Sequence, residues 1–333
     1  MSAAPLPDQT TFDLRNVTRK SRLLGWLLRR ADYIWVDRRP ARILFQLIRM
    51  LGAHPKAAYP GLIRVKGNRD TPLLSWFVLP GSGRRPPTLA DAINHALANK
   101  KTAAPSPKLT QLMKRVLDTH ALDPARKTPI CPADLFERAG GTRVLLVDER
   151  THSDLGDMSA RERRAAFDTL ITTARSAHPQ AEFLLARTNA HGVGRWLSSY
   201  VKMPPDLRSL DVHDSLCATI RHVDHVYTIS APEGMHALLS GVPTHTFGKP
   251  YYAGWGLTSD HAHMPERIAR PTLATLFDIV FLQLAHYLDP VTHERGSLES
   301  LLDIVELQRS VTSRFAALGN IAGVRAAGAY HFK

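Results

Sequence analysis

Apolar residues recur along this chain with two periods, that of buried strands and that of amphipathic helices. Short apolar runs predict strands at 33–37, 72–80, 143–147, 182–187, 225–229 and 244–248. Helical spacing predicts helices at 16–31, 43–51, 89–98, 109–122, 160–177, 235–240, 270–287 and 309–327. Because the strands alternate with helices, the pattern predicts an α/β protein.

The chain has 333 residues, which is enough for two domains of ordinary size. Prolines and polar residues interrupt the periodicity between 123 and 141, so the boundary is placed near 140. We expect a disordered segment at 1–15, an N-terminal domain at 16–139, a C-terminal domain at 140–295, and a helix in 296–333 that packs back on the body.

Composition and charge restrict the compartment and the partners. Two cysteines, Cys131 and Cys217, favour a reducing compartment, and the sequence lacks a long apolar run or a signal-peptide pattern, so we expect a cytoplasmic protein. A net charge of +13 predicts anionic partners. Nucleic acid is one candidate, but no nucleic-acid-binding motif supports it. The basic helix at 16–31 either packs on the core or rests on a membrane surface.

The stretch 225–258 is the candidate ligand site. Ser230 and Glu233 have capping-box spacing between a strand and a helix, which predicts free amides and a positive helix end for a phosphate. The glycine-rich segment that follows contains Tyr251, Tyr252 and Trp255, which we interpret as stacking faces for a ligand.

The run VYTISAPEGMHALLSGVPTHTFGKPYYAGWGLTSD resembles the signature of the capsule polysaccharide biosynthesis and export proteins, the KpsC/LipA and KpsS/LipB family. That resemblance implies a retaining β-Kdo glycosyltransferase with two Rossmann-like domains facing a cleft, in a GT-B-like architecture. It also implies CMP-Kdo as donor and a glycan or glycolipid acceptor, and we expect no further cofactor. The N-terminal domain would then hold the acceptor, and the C-terminal domain would bind CMP.

The resemblance also assigns site residues. Asp148, followed by Glu149 where the family commonly has Gln, stands at the position of the nucleophile. Arg64, Arg187 and either His225 or His236 are expected to neutralise the donor's carboxylate and phosphate charges. The expected donor-binding residues are Ser230, Glu233, Gly234, His236, Tyr252, Gly254, Trp255, Gly256 and Thr258.

Three positions depart from the family pattern. Tyr59 stands where the family has an acid/base Glu, Asn189 replaces a His, and His236 replaces a Glu. Because a phenol and an amide cannot do the proton chemistry of a carboxyl and an imidazole at neutral pH, an alternative stays open. In that alternative the chain is a catalytically impaired protein of capsule assembly or export that binds a CMP-sugar or a glycan.

Histidines are frequent in the C-terminal half, where His225, His236, His245, His261 and His263 lie close in sequence. They lack the spacing of a known zinc motif, and the chain has no Asp-x-Asp pair. We therefore expect no metal. The expected partners are a nucleotide sugar, an anionic glycan or glycolipid, the inner-membrane surface and other capsule-assembly proteins, without specific binding of nucleic acid.

Overall fold

A computed structural model describes residues 33–36, 39–52, 54–63, 74–81, 83, 85–98, 106–123, 141–153, 158–190, 192–210, 215–289, 291–292 and 294–308. Several predictions of the sequence lie outside these residues. They are the disordered segment 1–15, the helices at 16–31 and 309–327, and the role of Arg64.

The described residues form strands and helices that alternate over most of the chain. The strands are β1 (Tyr33–Trp35), β2 (Lys56–Pro60), β3 (Ser75–Leu79), β4 (Arg143–Asp148), β5 (Arg150–Ser153), β6 (Glu182–Arg187), β7 (Gly192–Trp196), β8 (Arg208–Ser209), β9 (His225–Thr228), β10 (Thr244–Thr246), β11 (Ser259–Asp260) and β12 (Ala285–Tyr287). The helices are α1 (Arg39–Met50), α2 (Leu89–Ala98), α3 (Pro107–Asp118), α4 (Ala160–Ala177), α5 (Leu216–Ile220), α6 (Glu233–Leu239), α7 (Leu273–Phe277) and α8 (298–308).

The larger sheet has, within the described ranges, the strand order β11-β10-β9-β4-β6-β8, and its neighbouring strands are parallel. Its central strand β4 is apolar along its length because helices cover both faces of a parallel sheet. The chain runs from β4 to β6 on one side and returns to β9 on the other. Ligands of such sheets bind at the carboxyl edge near this reversal, which is where Asp148 lies.

The smaller sheet has the order β1-β2-β3-β12 among the strands that are described. Only its β1 and β2 are parallel, and β3 is antiparallel to both of its neighbours. Strand β12 comes from the C-terminal part of the chain and completes this sheet at the free side of β3. The predicted domain boundaries themselves stay predictions.

Helix α4 shows how the sequence determines its element. Ser159 and Glu162 form a capping box at its start, with both reciprocal hydrogen bonds present. Its buried face, which includes Phe167 and Leu170, packs on the larger sheet. The predicted helix at 160–177 is confirmed to the residue, as is the helix at 89–98.

Two local predictions are wrong and one pair of strands was not predicted. The segment 270–287 is α7 followed by a π-helical stretch, Asp278–Leu284, and then β12, rather than one helix. The antiparallel pair β5 and β7 was not predicted because its residues are short, polar and glycine-containing. Helix α6 begins after Pro232 without a side-chain cap, because Ser230 and Glu233 bond elsewhere.

The smaller sheet packs against α6 and the segment that follows β10. Met235 of α6 and the aromatic residues Tyr252 and Trp255 lie in the same apolar cluster as Trp76 and Phe77 of β3. These two parts of the C-terminal half are therefore fixed against the smaller sheet. No helix in the described part is both long and apolar enough to cross a lipid bilayer.

Candidate functional site

Asp148 is the last residue of β4, and its side chain is fully buried at the carboxyl edge of the larger sheet. Its Oδ1 accepts a hydrogen bond from the Ser198 amide at 3.0 Å, and its Oδ2 accepts one from the Ser198 hydroxyl at 2.6 Å. The Arg187 Nε lies 3.7 Å from Oδ2. Burial raises the pKa of Asp148 above its ordinary value, although the Ser198 hydrogen bonds and the Arg187 charge oppose this.

Glu149 is also buried, but it is saturated with partners. Its Oε2 forms an ion pair with Arg163 Nη2 at 2.6 Å, and its Oε1 accepts from the backbone amides of 229, 230 and 231 at 2.8, 2.8 and 3.1 Å. The hydroxyls of Thr228 and Ser230 donate to the same carboxylate. Burial raises the pKa of Glu149, but the Arg163 charge and these bonds outweigh it and leave the pKa lowered.

These contacts overturn one prediction. The amides that follow β9 were expected to bind the donor's phosphate, but the Glu149 carboxylate already accepts their hydrogen bonds. Ser230 likewise bonds to Glu149 and accepts from Arg163 at 2.8 Å. The anion that the strand-to-helix turn holds is therefore the protein's own side chain.

A second buried carboxyl lies at the start of α6. Both oxygens of Glu233 accept from the Thr188 hydroxyl, and its Oε1 accepts from the Asn189 amide at 3.0 Å. The Asn189 side chain donates to Asp123 Oδ1, also at 3.0 Å. Burial, together with the nearby charge of Asp123, raises the pKa of Glu233 to about 7. Asn189, which replaces the family's His, thus joins the chain after β6 to two buried carboxyls.

The rim of the site is basic and aromatic. The guanidinium of Arg150 stacks on the Trp196 ring at 3.8 Å, and that of Arg187 lies 5.0 Å from the same ring. Arg187 is 51% exposed. A shallow recess beside Arg150 has room for about one water molecule and is open to solvent, and its lining comprises Glu149, Arg150, His152, Arg163, Thr188, Ala190, Gly192, Ala231 and Pro232. This edge therefore presents cations and a flat ring to an anionic ligand.

The aromatic residues of 251–258 are structural. Tyr252 is buried and donates to the Ala231 carbonyl, and Trp255 is buried and donates to the Tyr251 carbonyl. A side chain at Gly234 would lie 2.1 Å from the Tyr252 hydroxyl, so glycine is needed there for packing. The prediction that these aromatic rings stack on a ligand is wrong, because neither face of a buried ring is free.

The rest of that segment is organised by Asp260. Its carboxylate accepts from the Thr258 hydroxyl at 2.6 Å and from the Gly254 amide at 3.0 Å. Gly254 and Gly256 have positive φ angles, and an added Cβ at either would meet an arginine side chain. Gly256 is exposed and Thr258 half-buried, so their predicted contact with the donor stays a prediction.

His236 cannot supply the positive charge expected of it. Its ring is fully buried beside that of His120, and burial lowers its pKa to about 3. His225, another candidate for that charge, begins β9 and lies at the opposite edge of the sheet from Asp148. Tyr59 donates to the Pro87 carbonyl at 2.8 Å, which gives its hydroxyl a structural partner.

The sequence comparisons concern the C-terminal part of the chain. Residues 150–289 match the family model described as capsule polysaccharide biosynthesis protein. Over this stretch the chain is similar to the proteins of that family. The capsule polysaccharide modification protein LipA of Neisseria meningitidis serogroup B is 30% identical over 168 residues, which are 48% of this chain and 24% of LipA. The lipopolysaccharide-processing protein LpsZ of Rhizobium meliloti is 33% identical over 97 residues, 29% of this chain and 22% of LpsZ.

The chain therefore spans about a quarter of the length of the curated relatives it matches. A solved structure covers more of it. Thermosulfurimonas dismutans KpsC, beta Kdo 2,4 transferase, superposes with a TM-score of 0.67 and 26% identity over 81% of this chain and 85% of that one. The beta Kdo 2,7 transferase of the same KpsC superposes with a TM-score of 0.53 at 18% identity, over 86% and 89%. The α/β fold with a GT-B-like glycosyltransferase architecture is confirmed.

Several residues of the site were not predicted from the sequence. Ser198 holds Asp148, Arg163 neutralises Glu149, and Thr188 binds Glu233. Arg150 and Trp196 come from the β5 and β7 pair. One signal in the sequence could have indicated the ion pair. Arg163 lies on the face of α4 whose other residues are apolar and buried, and a buried arginine requires a buried carboxylate as its partner.

Proposed function

We propose that this chain is a glycosyltransferase that moves Kdo from CMP-Kdo to a glycan or glycolipid acceptor with retention of configuration. The observation that carries the proposal is Asp148, a carboxylate oriented by Ser198 at the carboxyl edge of the sheet and rimmed by Arg187. The superposition on the KpsC transferase supports the reaction class.

In the proposed first step an Asp148 oxygen attacks the anomeric carbon of Kdo. The bond from that carbon to the phosphate oxygen breaks, and CMP leaves with the bonding electron pair. An acceptor hydroxyl then attacks the same carbon, loses its proton to a base, and releases the Asp148 carboxylate. Two inversions retain the configuration. The raised pKa of Asp148 favours its nucleophilicity once ionised.

Arg187 and Arg150 are the cations that we assign to the donor's carboxylate and phosphate. Arginine suits this role because its planar fork pairs with two anionic oxygens. The Arg150 guanidinium stacks on Trp196 at the edge of the recess, and the Arg187 guanidinium lies 5.0 Å from the same ring. This assignment replaces the amides of 229–231, which Glu149 occupies.

Access to Asp148 requires a movement of its cover. In this structure Ser198 and the side chain of Arg187 lie over the carboxylate. Arg187 is half-exposed and contacts Asp148 at 3.7 Å, beyond hydrogen-bond length, so an anionic donor can draw it away at low cost. Binding of the donor and exposure of the nucleophile would then occur together.

The burial of Asp148 also favours a second function. If Asp148 stays covered when the donor binds, the chain binds a CMP-sugar or a glycan within the capsule machinery without transferring it. The hydrogen bond from Tyr59 to Pro87 and the neutral Asn189 supply no proton-transfer group of the family's kind. The two functions differ in turnover and agree in binding.

The test is release of CMP from CMP-Kdo in the presence of acceptor. The transferase predicts steady release that Asp148→Asn reduces by roughly 1,000-fold or more, with donor affinity changed little. Asp206→Asn is a matched control, since Asp206 is an exposed carboxylate paired with Arg175. Donor binding without release in the unaltered chain would establish the second function, and absence of binding would refute both.

A further inference from the structure

Three histidines converge at the amino edge of the larger sheet. His178 follows the last turn of α4, His225 begins β9, and His245 lies in the middle of β10. One ring nitrogen from each lies within 4.8 Å of the other two. The three come from positions separated by 47 and 20 residues, so the fold and not a local motif brings them together.

Their spacing suits a tetrahedral ion. His245 Nε2 lies 3.3 Å from His225 Nδ1. Zinc binds imidazole nitrogen at about 2.0–2.1 Å, and a tetrahedral angle then separates two ligand atoms by roughly 3.3 Å. Without an ion, the pair can share a single N–H···N hydrogen bond. The His178 ring is 4.2 Å from that of His225, centroid to centroid, and its ligand nitrogen lies within 4.8 Å of those of His225 and His245.

The surroundings favour neutral imidazoles, the form that binds metals. Burial and the neighbouring histidines lower the pKa of His178, and they lower that of His245 to about 4. The ring of Tyr227 stacks on His245 at 4.2 Å, and its hydroxyl lies 3.1 Å from His178 Nε2. Metal-bound histidines commonly have such outer partners, which fix the ring orientation. All three rings are half-buried, so an ion can enter and a fourth position can hold water.

We propose that His178, His225 and His245 bind a divalent transition-metal ion of the zinc class. The ion would fasten the end of α4 to β9 and β10, because each element supplies one ligand. The site is separate from the candidate active site, since His225 stands at the start of its strand and Asp148 at the end of the neighbouring one. This proposal departs from the expectation, based on the sequence, that the chain binds no metal.

Titration calorimetry with Zn²⁺ on chelator-treated, untagged full chain tests the site. We expect one ion per chain, a rise in the melting temperature when Zn²⁺ is added, and at least roughly tenfold weaker binding in each of His178→Ala, His225→Ala and His245→Ala. His263→Ala is the matched control because His263 is exposed and outside the trio, and its binding should be unchanged. Co²⁺ should give the intense visible absorption of a tetrahedral centre.

The proposal is overturned if Zn²⁺ does not bind, or if the control loses affinity as much as the three variants do. Circular dichroism of the metal-free variants separates lost ligation from lost folding. Should His225→Ala or His245→Ala fail to fold, His178→Gln decides the matter, since this position follows a helix end. Unchanged Zn²⁺ affinity in a folded His178→Gln variant contradicts a three-histidine site.

Discussion

Asp148 and Glu149 are adjacent, buried carboxylates at one strand end, yet they differ in their hydrogen-bond partners and in the direction of their pKa shifts. The Asp148 side has one serine and a half-exposed arginine as partners. The Glu149 side has a buried arginine, three backbone amides and two hydroxyls. The pKa of the first is raised and that of the second lowered.

The difference shows how one strand end serves reactivity and rigidity together. A fully bonded carboxylate cannot act as a nucleophile, because its lone pairs are occupied by donors. It can, however, hold a strand, a helix and the following turn in register. Glu149 fixes the scaffold from which Asp148 is presented, so the two sides should respond differently to matched substitutions.

The largest expected effect is on the Glu149 side. Glu149→Gln removes the charge that compensates buried Arg163, and the free energy of unfolding should fall by about 3–5 kcal/mol. Urea denaturation measures it. Asp148→Asn is the matched control, with an expected change under about 1 kcal/mol, because burial already disfavours its charge. Equal losses of unfolding free energy in the two variants would contradict the proposed difference between Asp148 and Glu149.

Gly234→Ala should perturb the Glu149 side through packing. The new Cβ would lie 2.1 Å from the Tyr252 hydroxyl, whose hydrogen bond to Ala231 supports the turn around Glu149. Overpacking of this kind lowers the free energy of unfolding by about 1–3 kcal/mol. Gly83→Ala is the control, since its nearest neighbour is 4.0 Å away and its φ is not positive. A thermal melt unchanged in both variants would contradict the tight packing.

A pH series on Glu233→Gln sharpens the comparison with a third carboxyl. Because the folded pKa of Glu233 is about 7 and the unfolded value is 4.5, its contribution to stability decreases as pH rises through this window. The variant lacks this loss, so its stability relative to the unaltered chain should increase by about 2 kcal/mol between about pH 5 and pH 7. A difference independent of pH would mean an unshifted pKa.

The smallest effect concerns the rim of the Asp148 side. Arg187→Gln should leave the free energy of unfolding within about 0.5 kcal/mol, because Arg187 is half-exposed. Affinity for CMP should weaken by roughly fivefold as one cation is lost. Arg208→Gln is the control, since Arg208 pairs with Glu182 near the start of β6 and away from the recess. Isothermal titration with CMP distinguishes them, and equal affinities would remove Arg187 from the donor site.

The sequence predicted what local pattern determines. The apolar run 143–147 gave a buried central strand ending in Asp148, and the Ser159 and Glu162 pair gave the start of α4. It could not predict which anion occupies the turn after β9. That choice depends on Arg163 lying across from Glu149, a contact between residues 14 positions apart. Likewise the aromatic residues at 251–255, considered alone, predict a ligand surface. The smaller sheet that buries them is remote in sequence, so no local pattern indicates their burial.

The account's central claim is that Asp148 reacts and Glu149 does not. Mass spectrometry of the chain after brief incubation with CMP-Kdo, without acceptor, tests it most directly. The account predicts an added Kdo that peptide mapping places on Asp148, and its disappearance in Asp148→Asn. An adduct on Glu149, or a chain saturated with donor that never acquires the added mass, would contradict it.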